Sequence, residues 1–127
     1  MLQIVIVTGF AVAALINFLP VSGVLGTAQL MKLYDISLEG RDLAILMRHR
    51  AVLFGVVGGV LVAAIFLPGL RVAALLVGML SMTSFIVLQW LEGGSNTALS
   101  RVVVADYVGI AFLAAAGIAM YLKEGNA

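Results

Sequence analysis

Residues 51–91 read AVLFGVVGGVLVAAIFL, then PGLR, then VAALLVGMLSMTSFIVLQWL, and this stretch decides the fold. Each apolar run approaches the roughly 20 residues that a helix needs to cross a hydrocarbon core about 30 Å thick. Between the runs, Pro68 and Gly69 stop the first helix and turn the chain. Neither run alternates apolar with polar residues, which excludes barrel strands. The stretch therefore predicts a helical hairpin with antiparallel arms, the first over 51–67 and the second over 72–91. A helical start for the first arm as far back as Asp42 is open to it, and the second arm breaks at Gly93-Gly94.

The same pattern recurs on both sides of the hairpin. Residues 2–19 form an apolar run stopped by Pro20, and residues 102–122 form another stopped by Lys123-Glu124-Gly125. The N-terminal run lacks a basic leading region and is longer than the apolar part of a secretory signal, so a retained helix is expected. Within the first loop, Val21, Val24, Leu25, Ala28 and Met31 recur at helical spacing. That segment, residues 21–34, is read as a short interfacial or re-entrant helix, and residues 35–42 as a polar, exposed turn. The expected fold is an all-α membrane protein, with one domain over 1–127 built as a four-transmembrane-helix bundle.

Composition agrees with this reading. Of the 127 residues, 64% are hydrophobic and 10% charged, with a mean hydropathy of +1.23. Soluble domains carry about 25% charged residues, so a water-soluble monomer is excluded. A net charge of +1 leaves no electrostatic footprint for nucleic acid. The absence of cysteine removes disulfides, thiolate metal sites and Fe–S clusters together. A single histidine argues against a multi-His metal or haem site, and no cofactor motif is present.

Polar residues concentrate where the odd runs end and the even runs begin, which antiparallel packing brings to one membrane face. Asn17 lies near the end of the first run, and Arg48, His49 and Arg50 precede the second. Gln89, Trp90 and Glu92 close the third; Arg101 and Asp106 open the fourth. Ionisable groups at membrane depth are costly and usually face a partner, a cavity or water. Asn17, Arg48, His49, Arg50, Gln89, Trp90, Arg101 and Asp106 are therefore the candidate ligand-binding residues. Successive helical positions differ by about 100°, so Arg48, His49 and Arg50 cannot all point inward. His49 is expected on the inward stripe with Val56, and Asp106 is expected to pair with Arg48 or Arg50. Trp90 doubles as an interfacial anchor.

Basic residues divide unevenly. The loops on the polar-cluster side hold Lys32, Arg41, Arg48, Arg50 and Arg101, against Arg71 and Lys123 on the other. The positive-inside rule then places the polar-cluster face in the cytoplasm and both termini outside. Small residues at four-residue spacing (Gly55 and Gly59, Ala74 and Gly78, Ala105 and Gly109) supply close helix contacts. Gly55 and Gly59 also offer a seam for a homo-oligomer.

The stretch Ala44-Ile45-Leu46-Met47-Arg48-His49-Arg50-Ala51-Val52-Leu53-Phe54-Gly55, together with Ser100-Arg101-Val102-Val103-Val104-Ala105-Asp106, resembles the signature of a group of small bacterial inner-membrane proteins with four helices. The resemblance implies a multi-pass protein of the bacterial plasma membrane. Some members of that group carry the label phosphopantetheine adenylyltransferase. That soluble nucleotidyltransferase needs a His-x-Gly-His phosphate site on an α/β sheet, and this chain offers neither, so no catalytic residue is carried over.

Three functions remain open at this point. The first is a binder or carrier of an amphiphile, with apolar walls around its body and Arg48, Arg50, Asn17 and Asp106 at its polar head. The second is an intramembrane isomerase or cyclase of an isoprenoid or sterol-like substrate, with His49 and Asp106 as the candidate acid–base pair. The third is a structural subunit whose cluster pairs with a larger membrane complex. Small multidrug carriers also have four helices, but theirs hold a Glu in the first span, and here that span has no acidic residue.

Overall fold

A computed structural model describes residues 1–19, 41–94 and 97–125, and four α-helices account for nearly all of them. We number these α1 (Leu2–Phe18), α2 (Arg41–Phe66), α3 (Arg71–Leu91) and α4 (Thr97–Gly125). The breakers act where the sequence places them. Pro68–Leu70 forms a single 3-10 turn between α2 and α3, with the proline at a position where a helix leaves its N–H unpaired. At the end of α3, Gly93 and Gly94 take φ values of +84° and +115°. Their amides reach back to the carbonyls of Trp90 and Gln89 at 3.1 and 3.0 Å, closing the helix in a conformation glycine enters without a Cβ penalty.

The helix limits extend past the apolar runs at α2 and α4. The early start of α2 that the sequence leaves open at Asp42 is taken, one residue further back at Arg41, and residues 97–101 belong to α4. The expected helix over 21–34 lies outside the described residues. Among the described residues, three segments are long and apolar enough to cross a membrane: Arg41–Phe66, Pro68–Leu91 and Leu99–Gly125. α1 is equally apolar in character but has only 17 residues.

α1 packs on α4 and α2, and α3 on α4 and α2, so the four helices close a ring in which α1 faces α3 across the middle. Individual contacts fix the directions. Gln3 meets Lys123, Gly9 meets Ala116, and Ile16 meets Gly109, so α1 and α4 run antiparallel. Leu61 lies on Gly78 while Arg50 lies on Phe85, so α2 and α3 are antiparallel too. The ends of α1 and α3 thus share one end of the bundle with the starts of α2 and α4.

Each helix presents one apolar stripe to this interior. Ile6, Phe10, Ala13 and Ala14 come from α1, Leu61 and Ala64 from α2, Ala74 and Met82 from α3, and Leu113, Ala116 and Ala119 from α4. The periods are those of helices that bury one face. Small residues let the helices approach closely at several of these contacts. Gly9 is the tightest case: a Cβ there would sit 2.5 Å from the Phe112 carbonyl oxygen and 2.6 Å from the Ala116 Cβ. Gly78 and Gly109 are filled in the same way by Leu113 and Met82, as their spacing anticipates. Gly59 behaves differently, since it faces open space on the outer side of α2.

Candidate ligand site at the polar end of the bundle

Helical geometry sorts the polar cluster into two sets. On α2 the inward stripe runs through Arg50, Phe54, Val57, Leu61 and Ala64, all buried or half-buried. His49, Val52 and Val56 fall on the outer side and are exposed, while Leu53, also exposed, stands at the edge of the inward stripe. The expectation that His49 and Val56 share the inward stripe is therefore corrected: the roll of α2 turns Arg50 inward and His49 outward. Arg48 is exposed as well. On α4, Val103, Asp106, Gly109, Leu113 and Ala116 form the buried stripe, which leaves Arg101 exposed. Trp90 is 75% exposed, whereas Gln89 is half-buried.

The inward set is Asn17, Arg50 and Asp106, joined by the half-buried Ser81 of α3, with Ser84 exposed one turn further on. Asn17 is fully buried, and its amide is used at both ends. Its Nδ2 donates to the Ala13 carbonyl at 2.8 Å, and its Oδ1 accepts from the Ser81 hydroxyl at 3.0 Å. Ser84 donates in turn to the Ser81 carbonyl at 3.1 Å. Asn17 thus ties helices together rather than presenting a free amide to a ligand.

Arg50 lies between two rings. Its guanidinium carbon sits 4.6 Å from the centroid of Phe54 and 5.3 Å from that of Phe85, within the range of cation–π attraction. Planar guanidinium groups suit this sandwich, and their charge is held at any physiological pH. Asp106 is buried on α4, at the same end of the bundle as Arg50. Of the two arginines expected as its partner, the structure favours Arg50, because Arg48 projects from the exposed side of α2.

Below Arg50 a groove of about 190 Å³ opens between α2 and α3. Leu53, Phe54, Val57, Phe85 and Leu88 form its apolar walls, and Arg50, Ser81 and Ser84 supply its polar groups. The arrangement is a greasy slot with one cation at its outer end and two hydroxyls further along it, Ser81 at the level of Val57 and Gly58. Small-molecule pockets are commonly about 300–1,000 Å³, so this groove has room for only part of a molecule of that class. Of the eight candidate residues, only Arg50 lines the groove directly. Asn17 stands behind it through Ser81, and Asp106 lies at the same end of the bundle, on α4. His49 and Asp106 differ in burial and lie on different helix faces, so the acid–base pair of the enzyme reading is not brought together as a buried dyad.

No known family model, curated protein or solved structure matches this chain.

Proposed function

We propose that this chain is an integral membrane protein of four spans that binds or carries an amphiphilic, lipid-like small molecule in the α2–α3 groove. The observation that carries the reading is the groove itself, with Arg50 at one end and aromatic and aliphatic walls below. An anionic or strongly polar head would meet Arg50, and the hydroxyls of Ser84 and Ser81 would face the part of the ligand that lies further in. The narrow apolar body would lie along Phe54, Val57 and Phe85 and continue into surrounding lipid.

The outer surface supports a membrane setting. Ile4, Leu46, Phe66, Leu76, Leu80 and Ile118 are all more than half exposed, and large continuous apolar surfaces do not persist in water. Trp90 near one end and Tyr121 near the other are also exposed, as interfacial anchors are. α1, at 17 residues, crosses as the shortest span. The exposed basic residues Arg41, Arg48 and Arg101 favour the cytoplasm for the polar end, because Arg71 on the other side is buried.

The test is to purify the protein in mild detergent and identify bound amphiphiles by mass spectrometry. Wild type should retain a defined amphiphile that Ser84→Trp, which fills the groove, loses. Identical lipid profiles from the two proteins would rule the groove out as the binding site.

A further inference from the structure

At the end of the bundle opposite Arg50, two cations converge on one neutral atom. Gln3 of α1 offers its Oε1, which accepts from Lys123 Nζ at 2.8 Å and from Arg71 Nη1 at a longer 3.4 Å. The two charged nitrogens therefore lie no further apart than these two bonds laid end to end. Arg71 is only 6% exposed. Its remaining hydrogen bonds run from Nε to the Ala64 carbonyl at 2.9 Å and from Nη2 to the Ile65 carbonyl at 3.1 Å. Those carbonyls end α2, and a guanidinium there suits the negative end of the helix dipole. Capping accounts for the burial of Arg71. It does not account for Lys123 being drawn to the same amide oxygen.

Charge and donor count both leave room for an anion. Gln3, Ala64 and Ile65 contribute neutral acceptors. A guanidinium has five N–H donors and an ammonium three, so Arg71 and Lys123 keep donors in hand after these bonds. Beside them lies a cavity of about 510 Å³, bordered by Ile6, Pro68, Val72 and Met120 as well as by the polar trio. Glu124 borders it too, from the exposed end of α4. The Gln3 oxygen occupies the position that an oxyanion would take between the two cations. Arginine pairs with phosphate through parallel N–H···O bonds and lysine through a point charge. Basic pockets between membrane helices bind phospholipid headgroups by this chemistry.

We propose that Gln3, Arg71 and Lys123 form a phosphate-group site, distinct from the Arg50 groove, that takes the phosphodiester of a net-anionic lipid headgroup or a free phosphate in place of the Gln3 contact. Such a headgroup carries no choline cation to repel Arg71 and Lys123. The phosphate oxygens bridge Lys123 and the outer edge of Arg71, while Arg71 keeps its two carbonyl bonds to α2. A lipid bound this way would lay its chains against Val72 and Met120.

Thermal unfolding of the detergent-solubilised full chain, with added phosphatidylglycerol, phosphatidylcholine or inorganic phosphate, tests the site. Phosphatidylglycerol should raise Tm more than phosphatidylcholine does. Lys123→Gln should weaken the apparent affinity about tenfold, as expected for one lost hydrogen bond to a charged group. Gln3→Glu places a built-in carboxylate between the cations. It should raise Tm without additive and remove the response to phosphatidylglycerol. An effect of inorganic phosphate alone, equally sensitive to Gln3→Glu, would identify free phosphate as the ligand and support the site without the membrane reading. Equal responses to both lipids with none to phosphate, or a response that survives Gln3→Glu, would overturn the proposal. Because no arm involves the Arg50 groove, failure here leaves the amphiphile reading standing, and Ser84→Trp leaves this site intact.

Discussion

The Ser81 hydroxyl donates to Asn17 Oδ1 at 3.0 Å and so joins α3 to α1, two helices that face each other across the ring rather than packing side by side. Gln3 and Arg71 make the matching link at the opposite end of the same pair. Two polar cross-braces thus span one diagonal, with an apolar middle of Phe10, Leu61 and Leu113 between them.

Loss of the Asn17 brace is expected to be measurable but modest. Interhelical hydrogen bonds in membrane proteins average about 0.6 kcal/mol and reach about 1.7 kcal/mol. Asn17→Ala and Ser81→Ala should each destabilise within that range, and the double variant should lose less than the sum. Equilibrium unfolding in mixed micelles gives all three values. Strict additivity would mean the two side chains do not interact.

Gly9 should tolerate no side chain, and Gly59 should tolerate many. A Cβ at Gly9 would meet the Phe112 backbone, which cannot swing aside, whereas nothing lies within 4 Å of a Cβ at Gly59. Overpacking typically costs about 1–3 kcal/mol. Gly9→Val should therefore lower unfolding stability by that amount or more, with Gly59→Val near neutral in the monomer. A variant of Gly59 that changed the oligomeric state in size-exclusion light scattering would reveal a seam on the outer face of α2.

Asp106 and Arg50 should behave as a coupled pair. Exposed ion pairs contribute about 0–1 kcal/mol, while breaking a buried one costs about 3–5 kcal/mol. No ion pair joins Asp106 and Arg50 among the described residues, so the coupling in an Asp106→Ala/Arg50→Ala cycle should lie near the lower limit, at about 1 kcal/mol. The double variant should lose less than the sum of the single variants, and the same cycle run with Arg48→Ala should give no coupling. Coupling to Arg48 instead would show that the roll of α2 is wrong.

Single cysteines can report topology against a background that has none. Cysteine at the exposed positions Arg41 and Glu92 should label from one side of the membrane, and cysteine at Gly69 and Glu124 from the other. Any other division would break the alternating order of the helices.

The elements were legible because apolar runs bounded by Pro68, Gly93 and Gly94 leave helices few alternatives. The polar end was legible in outline, since antiparallel order alone collects Asn17, Arg50 and Asp106 there. Which of Arg48, His49 and Arg50 turns inward was not. Neighbouring helical residues differ only by rotation, and the rotation of α2 is set by Phe18 against Gly58 and Leu61 against Gly78, contacts between distant parts of the chain. Arg71 was read only as a loop charge. A signal was present, because Arg71 continues the Ala74, Gly78 and Met82 stripe back by one turn, which places a cation on a buried face. Gln3 gave no such sign, being one amide in an apolar helix whose partners sit at positions 71 and 123.

The contact at Gly9 bears on how the bundle would answer its surroundings. A Cβ there would meet the Phe112 backbone, so α1 and α4 sit too close for either to slide past the other. On the proposed membrane reading, a change in bilayer thickness would be met by the bundle leaning as one body rather than by one helix shifting along its neighbour. The depth of the Arg50 groove would follow that lean.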